Sequence, residues 1–429
     1  RRHRRRKSGP RHQAALMPKR VLVITPQYAP DFGPSAPIYT ALCEDLQHNG
    51  CDVTVITAFP HYADAVARFG RPRRLMEEAV MNGVRIIRTY VYVVPKGSLW
   101  RRLLYHASFN IFSTFALLRT PRPDIVIADA PTLWSGLPLL ARSILPGVPF
   151  IYVIHDIYPD VLSRLGVLND RRILGLIDRV ERFFYRKSAQ ISVLSRGFMD
   201  NLLGKGVPRE KITIIPVCVD TELIKPMETE NVLRERWGLT GQFVVLYAGN
   251  IGLSQGLETL LETARMLRDR TDISFVIVGE GAMKPRLQEI AAAWGLSNVR
   301  FFPFQPREDV PFVYDLAHVC LILLKRDIVI ESVPSKTYSI MSAGRAFIAT
   351  VDRNTEVGAL VDKARCGVCV EPENAEELRD AIIRLAENPS TAEAMGRRGR
   401  DHVVTYYSRD VAAAKYHELI MRFAARIRR

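Results

Sequence analysis

From residue 21 onward the chain is built of short, almost wholly apolar β-rich runs separated by helix-length stretches, and the series occurs twice. The first set is Val-Leu-Val-Ile-Thr (21–25), Asp-Val-Thr-Val-Ile-Thr (52–57), Asp-Ile-Val-Ile-Ala-Asp (124–129), Phe-Ile-Tyr-Val-Ile-His (150–155) and Ile-Ser-Val-Leu-Ser (191–195). The second is Phe-Val-Val-Leu-Tyr-Ala-Gly (243–249), Ser-Phe-Val-Ile-Val-Gly (274–279), Val-Arg-Phe-Phe-Pro-Phe (299–304), Val-Cys-Leu-Ile-Leu-Leu (319–324) and Ala-Phe-Ile-Ala-Thr (346–350). A strand that is apolar on both faces needs cover on both faces, so each set predicts a parallel sheet layered between helices. Two doubly wound, Rossmann-like α/β domains in series leave a cleft between the carboxyl ends of their strands, where ligands of such sheets bind.

The 429 residues carry a formal charge of +15, which suggests a nucleic-acid partner until the charge is located. Residues 1–20 hold nine Lys or Arg and no acid, leaving +6 for the rest. The excess is a tail, and downstream there is no RNA-binding signature, so no nucleic acid is expected. Residues 1–18 read as a disordered basic tail, with 1–16 lying upstream of the natural start near Met17. The six cysteines are scattered, several in apolar runs. Cys366-Gly-Val-Cys369 has metal-like spacing but no second pair or nearby histidine to complete four ligands, so core packing is expected and no metal.

Glu331-Ser-Val-Pro-Ser-Lys-Thr-Tyr-Ser-Ile-Met-Ser-Ala-Gly344 places an acid and the cation Lys336 where a loop enters a helix, a site type suited to a hydroxylated, phosphorylated ligand. Asn250-Ile-Gly-Leu-Ser-Gln-Gly256 follows a strand ending at Gly249 and precedes a helix, so its backbone N–H groups can approach an anion. Val-Gly-Glu-Gly281 and Pro303-Phe304-Gln305-Pro306 follow the next strands, and Pro30-Asp-Phe-Gly33-Pro-Ser follows the first. His155-Asp156 closes a buried strand and could serve acid–base work.

The run 331–344 resembles the donor site of family-four glycosyltransferases, the retaining two-domain GT-B enzymes. It is similar to the bacterial subgroup of N-acetyl-L-fucosamine and colanic-acid transferases, where Pro-Ser-Lys also occurs. The resemblance spans roughly residues 19–425. It implies an acceptor-side domain over 19–218, a nucleotide-sugar domain over 219–407, and a final helix over 408–429 returning to the first domain. In the family two glutamates stand eight positions apart: the first, here Glu331, approaches the donor sugar, and the second, which holds ribose hydroxyls, is here Ser339. A family Arg and Lys that counter the diphosphate fall at Asn250 and Gln255, so Ser335-Lys336 is expected to supply the replacing cation. Gly249, Gly252 and Gly256 are expected to line the donor phosphates, Gly281 and Phe304 the nucleotide, and Gly33 both phosphate and acceptor, each against a structural turn. His155 is expected to position substrate, against a satisfied structural histidine.

Between Arg102 and Arg119 lies an apolar segment of about 16 residues, short of the ~20 needed to span a bilayer. Leu104, Ile111, Phe115 and Leu118 fall on one helical face, with His106, Asn110 and Ser113 opposite. The segment 100–119 therefore reads either as a contact with an anionic membrane surface or as a core helix. The resemblance thus implies a retaining, metal-independent enzyme without cofactor that moves a sugar from a nucleotide diphosphate, UDP, to a lipid-linked saccharide at the cytoplasmic membrane face during surface-polysaccharide assembly. A sugar-nucleotide epimerase of the same fold and a non-catalytic nucleotide-sugar-binding partner are the alternatives.

Overall fold

The structure, a computed structural model, describes residues 18–31, 35–61, 70, 74–93, 99–144, 148–160, 163, 170–227, 231–326 and 333–424. The first sheet contains β1 (Arg20–Ile24), β2 (Asp52–Ala58), β3 (Met76–Met81), β4 (Val84–Thr89), β5 (Ile125–Asp129), β6 (Phe150–Ile154), β7 (Gln190–Val193) and β8 (Ile212–Ile214). Its order is β3-β4-β2-β1-β5-β6-β7-β8. All neighbours are parallel except β3 and β4, which form an antiparallel hairpin at the edge. That hairpin corrects the all-parallel expectation. Its turn is Asn82-Gly83, both at positive φ (49° and 81°), the pair that two-residue hairpins favour.

The helices of this half divide between the two faces of the sheet. α1 (Ala36–His48) covers one; α2 (Leu99–Leu118), α3 (Thr132–Ile144) and α4 (Arg171–Lys187) cover the other. Phe109, Leu117, Leu139 and Phe184 from those three helices enclose one core with Leu22, Val126 and Tyr152 of the strands. α2 packs on α3 and α3 on α4. The start of α4 is fixed by Asp170, whose carboxylate accepts the backbone N–H groups of Arg172 and Ile173 at 2.8 and 3.3 Å, two donors the helix leaves unpaired.

The second sheet has order β11-β10-β9-β12-β13-β14 and is parallel throughout. It comprises β9 (Phe243–Ala248), β10 (Ile273–Val278), β11 (Val299–Phe302), β12 (Val319–Leu323), β13 (Ala346–Thr350) and β14 (Gly367–Val370). α5 (Glu258–Met266) follows β9, α6 (Ser335–Ser342) precedes β13, and α7 (Pro389–Tyr407) leads into α8 (Arg409–Ala424). Cys366 and Cys369 are buried thiols at and just before β14.

α8 packs on the first sheet. Its Tyr416, Leu419 and Ile420 share a core with Tyr39, Leu42 and Leu46 of α1, and the Tyr416 hydroxyl lies 3.1 Å from Ser192 Oγ. The chain passes from the first sheet to the second near Val219 and returns at Ser408, and these two residues pair as a parallel bridge. Arg409 fastens the crossing, its guanidinium 2.7 Å from the Asp45 carboxylate on α1 and 3.1 Å from Asp220.

Candidate functional site

At the carboxyl end of the second sheet the loops after β9 and β10 lie flush against one another. Ile251 N–H donates to the Glu280 carbonyl at 2.9 Å, and Met283 N–H to the Ile251 carbonyl at 3.0 Å. The approach requires glycine: a Cβ on Gly279 would stand 1.9 Å from the Gly249 oxygen, and one on Gly281 2.2 Å from the Ile251 oxygen. Both are at positive φ as well (154° and 157°). Gly281 thus has a packing task that is visible without any ligand.

Lys336 stands in the first turn of α6 and sends its ammonium back over β9. The Nζ lies 3.1 Å from the Tyr247 hydroxyl and 4.2 Å from the centre of its ring. A Cβ on Gly249 would come within 2.8 Å of that Nζ, so the glycine leaves room for the lysine. Burial pushes the Lys336 ammonium down to about 8. Among the described residues no carboxylate forms an ion pair with it.

The rest of the loop is braced from within. Gln255 Oε1 accepts from Gly252 N–H at 3.0 Å and its Nε2 donates to Ser254 Oγ at 3.0 Å, so this amide is occupied in holding the turn. Gly256, at φ 59°, hands the chain to α5. Lys325, just beyond β12, donates its backbone N–H to the Ser254 carbonyl at 3.0 Å and runs its alkyl chain against Gly256. Sequence reasoning passed over this lysine; its position directly after an apolar strand was the available signal. Asn250, Ser335 and Phe304 are exposed at this end of the sheet, whereas Ser339 lies beside the buried phenol of Tyr314.

At the corresponding end of the first sheet, His155 falls one residue past β6. Its ring meets Tyr39 edge-on at 5.6 Å, in a cavity also lined by Cys218, Arg409 and Tyr416. Its Nε2 is buried without a hydrogen-bond partner, and burial pushes the imidazole down to about 4, so it is neutral. Asp129, at the end of β5, was not foreseen. Burial drives its carboxyl up to about 8, opposed by the Tyr39 and Thr25 hydroxyls; Thr25 Oγ1 lies 3.3 Å away. Glu331 and Gly33 lie outside the described residues.

α2 packs on the first sheet along one side and is exposed along the other. Phe109, Asn110 and Ser113 are buried against the sheet and α3, with Asn110 Oδ1 accepting from Leu137 N–H at 2.9 Å. Leu104, Ile111, Phe115 and Leu118 instead face outward, between 47% and 66% exposed. Asn110 and Ser113 are thus inside with Phe109 and Leu117, and an apolar stripe is outside; Leu137 and Leu140 of α3 and Ile173, Leu176 and Val180 of α4 are exposed apolar residues too. Arg171, Arg172, Arg179, Arg186 and Lys187 of α4 are also exposed. The side chains of Trp100, Arg101 and Arg102 lie outside the described residues. Among the described residues no helix is long and apolar enough to cross a membrane.

Comparison with known proteins places this architecture. Residues 230–402 match the family described as "Glycosyl transferases group 1", and residues 35–218 match the "Glycosyl transferase 4-like domain". The chain is 30% identical over 410 residues to the putative colanic acid biosynthesis glycosyl transferase WcaI of Escherichia coli, covering 91% of this chain and 99% of that one. It is 25% identical to the probable glycosyltransferase WbjE of Pseudomonas aeruginosa, over 67% of this chain and 73% of the relative. Sucrose-phosphate synthase from Thermosynechococcus elongatus superposes with a TM-score of 0.74 at 18% identity, covering 95% and 99% of the two chains. HepE of Anabaena, solved in complex with UDP-glucose, superposes with a TM-score of 0.65 at 14% identity, covering 94% and 99%. The fold is GT-B, two Rossmann-like domains with C-terminal helices.

Proposed function

This chain belongs to the group 1 glycosyl transferases, and on that footing we propose that it moves a sugar from a UDP-linked donor to a lipid-linked saccharide in surface-polysaccharide assembly, with retention at the anomeric carbon and without a metal ion. The observation that carries the reading is Lys336: a largely buried ammonium held by an uncharged ring and phenol at a strand end, beside a glycine loop. Negative charge grows on the departing diphosphate as the sugar bond breaks, and a fixed cation in a poorly hydrated site stabilises it. The start of α5 adds partial positive charge, and Lys325 stands beside the loop that leads into it. Glu331 supports the oxocarbenium-like sugar, His155 positions substrate, and the departing phosphate takes the acceptor's proton.

Two relatives support the donor and the setting: HepE, which shares the fold, holds UDP-glucose, and WcaI is named for colanic acid biosynthesis. The outward apolar layer of α2, α3 and α4, bordered by the cations of α4, supports an acceptor presented at an anionic lipid surface. The test is a panel of UDP-sugars incubated with membrane lipid extract, with the configuration of the new linkage read by NMR and a parallel arm in EDTA. Transfer with an inverted linkage would overturn retention, and loss of activity in EDTA would overturn metal independence. A changed nucleotide sugar released without acceptor would make the protein an epimerase, and donor binding without turnover a binding partner.

A further inference from the structure

Away from the diphosphate loop, three polar side chains meet at the carboxyl end of the first sheet. Asp31 follows β1, His61 follows β2, and Tyr105 stands on α2. His61 Nδ1 lies 3.1 Å from Asp31 Oδ2 and 3.1 Å from the Phe59 carbonyl oxygen, and His61 Nε2 lies 3.0 Å from the Tyr105 hydroxyl. The His61 and Asp31 side chains are 8% and 1% exposed, while Tyr105 is only partly buried. The series runs from an interior carboxylate to a phenol nearer the surface.

The partners fix the protons. A carbonyl oxygen only accepts, and so does a carboxylate, so Nδ1 carries the hydrogen. Burial lowers the imidazole below its usual range despite Asp31, leaving it neutral with a lone pair on Nε2. Tyr105 therefore donates its hydrogen to His61, and toward any further group its oxygen acts as an acceptor. An incoming phosphate or carboxylate has no hydrogen to offer and would meet the Asp31 charge; a sugar hydroxyl has one.

We propose that Asp31, His61 and Tyr105 form an acceptor-reading site, in which the Tyr105 oxygen accepts a hydrogen bond from one hydroxyl of the acceptor saccharide and His61 and Asp31 are positioning residues. The inference rests on the proposed transfer to a saccharide. α2 then presents Leu104 and Ile111 outward and Tyr105 toward the strand ends, so the helix that would meet lipid also reads the sugar borne by it.

The test is a kinetic cycle between enzyme variants and acceptor analogues, using the UDP-sugar that supports transfer, octyl glycosides as acceptors and their monodeoxy derivatives. With the native enzyme, one monodeoxy glycoside should show an acceptor KM about tenfold higher than its parent. Tyr105→Phe should raise the KM of the parent about tenfold and abolish the difference between parent and that analogue, with kcat and UDP affinity unmoved. His61→Ala should also raise acceptor KM and add nothing in the Tyr105→Phe background. An unchanged acceptor KM in Tyr105→Phe, or a deoxy penalty that persists in it, overturns the inference while leaving the proposed function standing. Transfer by the native enzyme to no glycoside removes the saccharide acceptor and the inference with it.

Discussion

Lys336 and Tyr247, 89 residues apart, meet with the ammonium 3.1 Å from the phenol oxygen. Tyr247 donates its own hydrogen to the Asn250 carbonyl at 2.6 Å, so its oxygen is left to accept from the lysine. The pair thus joins α6, β9 and the glycine loop, and it holds a positive charge that no described carboxylate neutralises.

Replacing Lys336 with Ala should weaken UDP binding by about 2–3 kcal/mol, the loss of a charge-assisted contact. With the lysine lowered to about 8, the cation is present below that pH and lost above it. Native affinity for UDP should therefore fall as pH rises from 7 to 9, whereas Lys336→Arg, whose guanidinium keeps its charge, should not show that decline. Calorimetry at the two pH values checks both statements, and an unchanged affinity in Lys336→Ala would remove the lysine from the phosphate site.

Asp129 makes a prediction about stability. Its carboxyl stays protonated in the fold up to about pH 8 but ionises near 3.8 in the unfolded chain. The stability it contributes is complete below the unfolded value and is lost as pH rises through the folded one. Asp129→Asn, which has the shape without the charge, should gain melting temperature relative to the native protein at pH 8 compared with pH 5. Equal differences at both pH values would show that the carboxyl is not held protonated.

Glu331→Gln separates sugar from nucleotide. A carboxylate that supports the reacting sugar matters to the transition state more than to the bound ground state, so turnover should drop strongly while UDP affinity stays nearly intact. A variant with native turnover would exclude Glu331 from the chemistry.

The outward layer can be tested at Phe115 and Leu176, both more than half exposed. Phe115→Glu with Leu176→Glu should reduce sedimentation with phosphatidylglycerol vesicles while changing the melting temperature little, because neither position is in the core. The comparison is made in protein beginning at Met17, so that the basic residues before it add no attraction of their own to anionic vesicles. Equal sedimentation of the two forms would show that this face does not meet lipid.

Much of the architecture was readable in the sequence because each central strand is apolar on both faces. The runs at 346–350 and 319–324 match β13 and β12 to within a residue. The edge was harder: β3, Met-Glu-Glu-Ala-Val-Met, is largely exposed and lacks a buried strand's apolar run, although Asn82-Gly83 marked the hairpin. Helical periodicity separated the two sides of α2 but carried no sign for which side faces the sheet. Asn110 and Ser113 are tolerated inside because the asparagine oxygen accepts the N–H of Leu137 within a neighbouring helix and the serine hydroxyl bonds back to its own turn. In the candidate site, Lys336 was legible from the motif, while its Tyr247 partner, Asp129 and the Asp31–His61–Tyr105 series depend on contacts between distant strand ends that no local pattern records.

The chain crosses between the two sheets at residues that lie side by side, Val219 beside Ser408, with Arg409 holding Asp45 and Asp220 on either flank. His155 shares a cavity with Cys218, Arg409 and Tyr416 at that crossing. The arginine that fastens the crossing and a candidate substrate-positioning residue therefore line one cavity, so whatever shifts the crossing also reshapes the surroundings of His155.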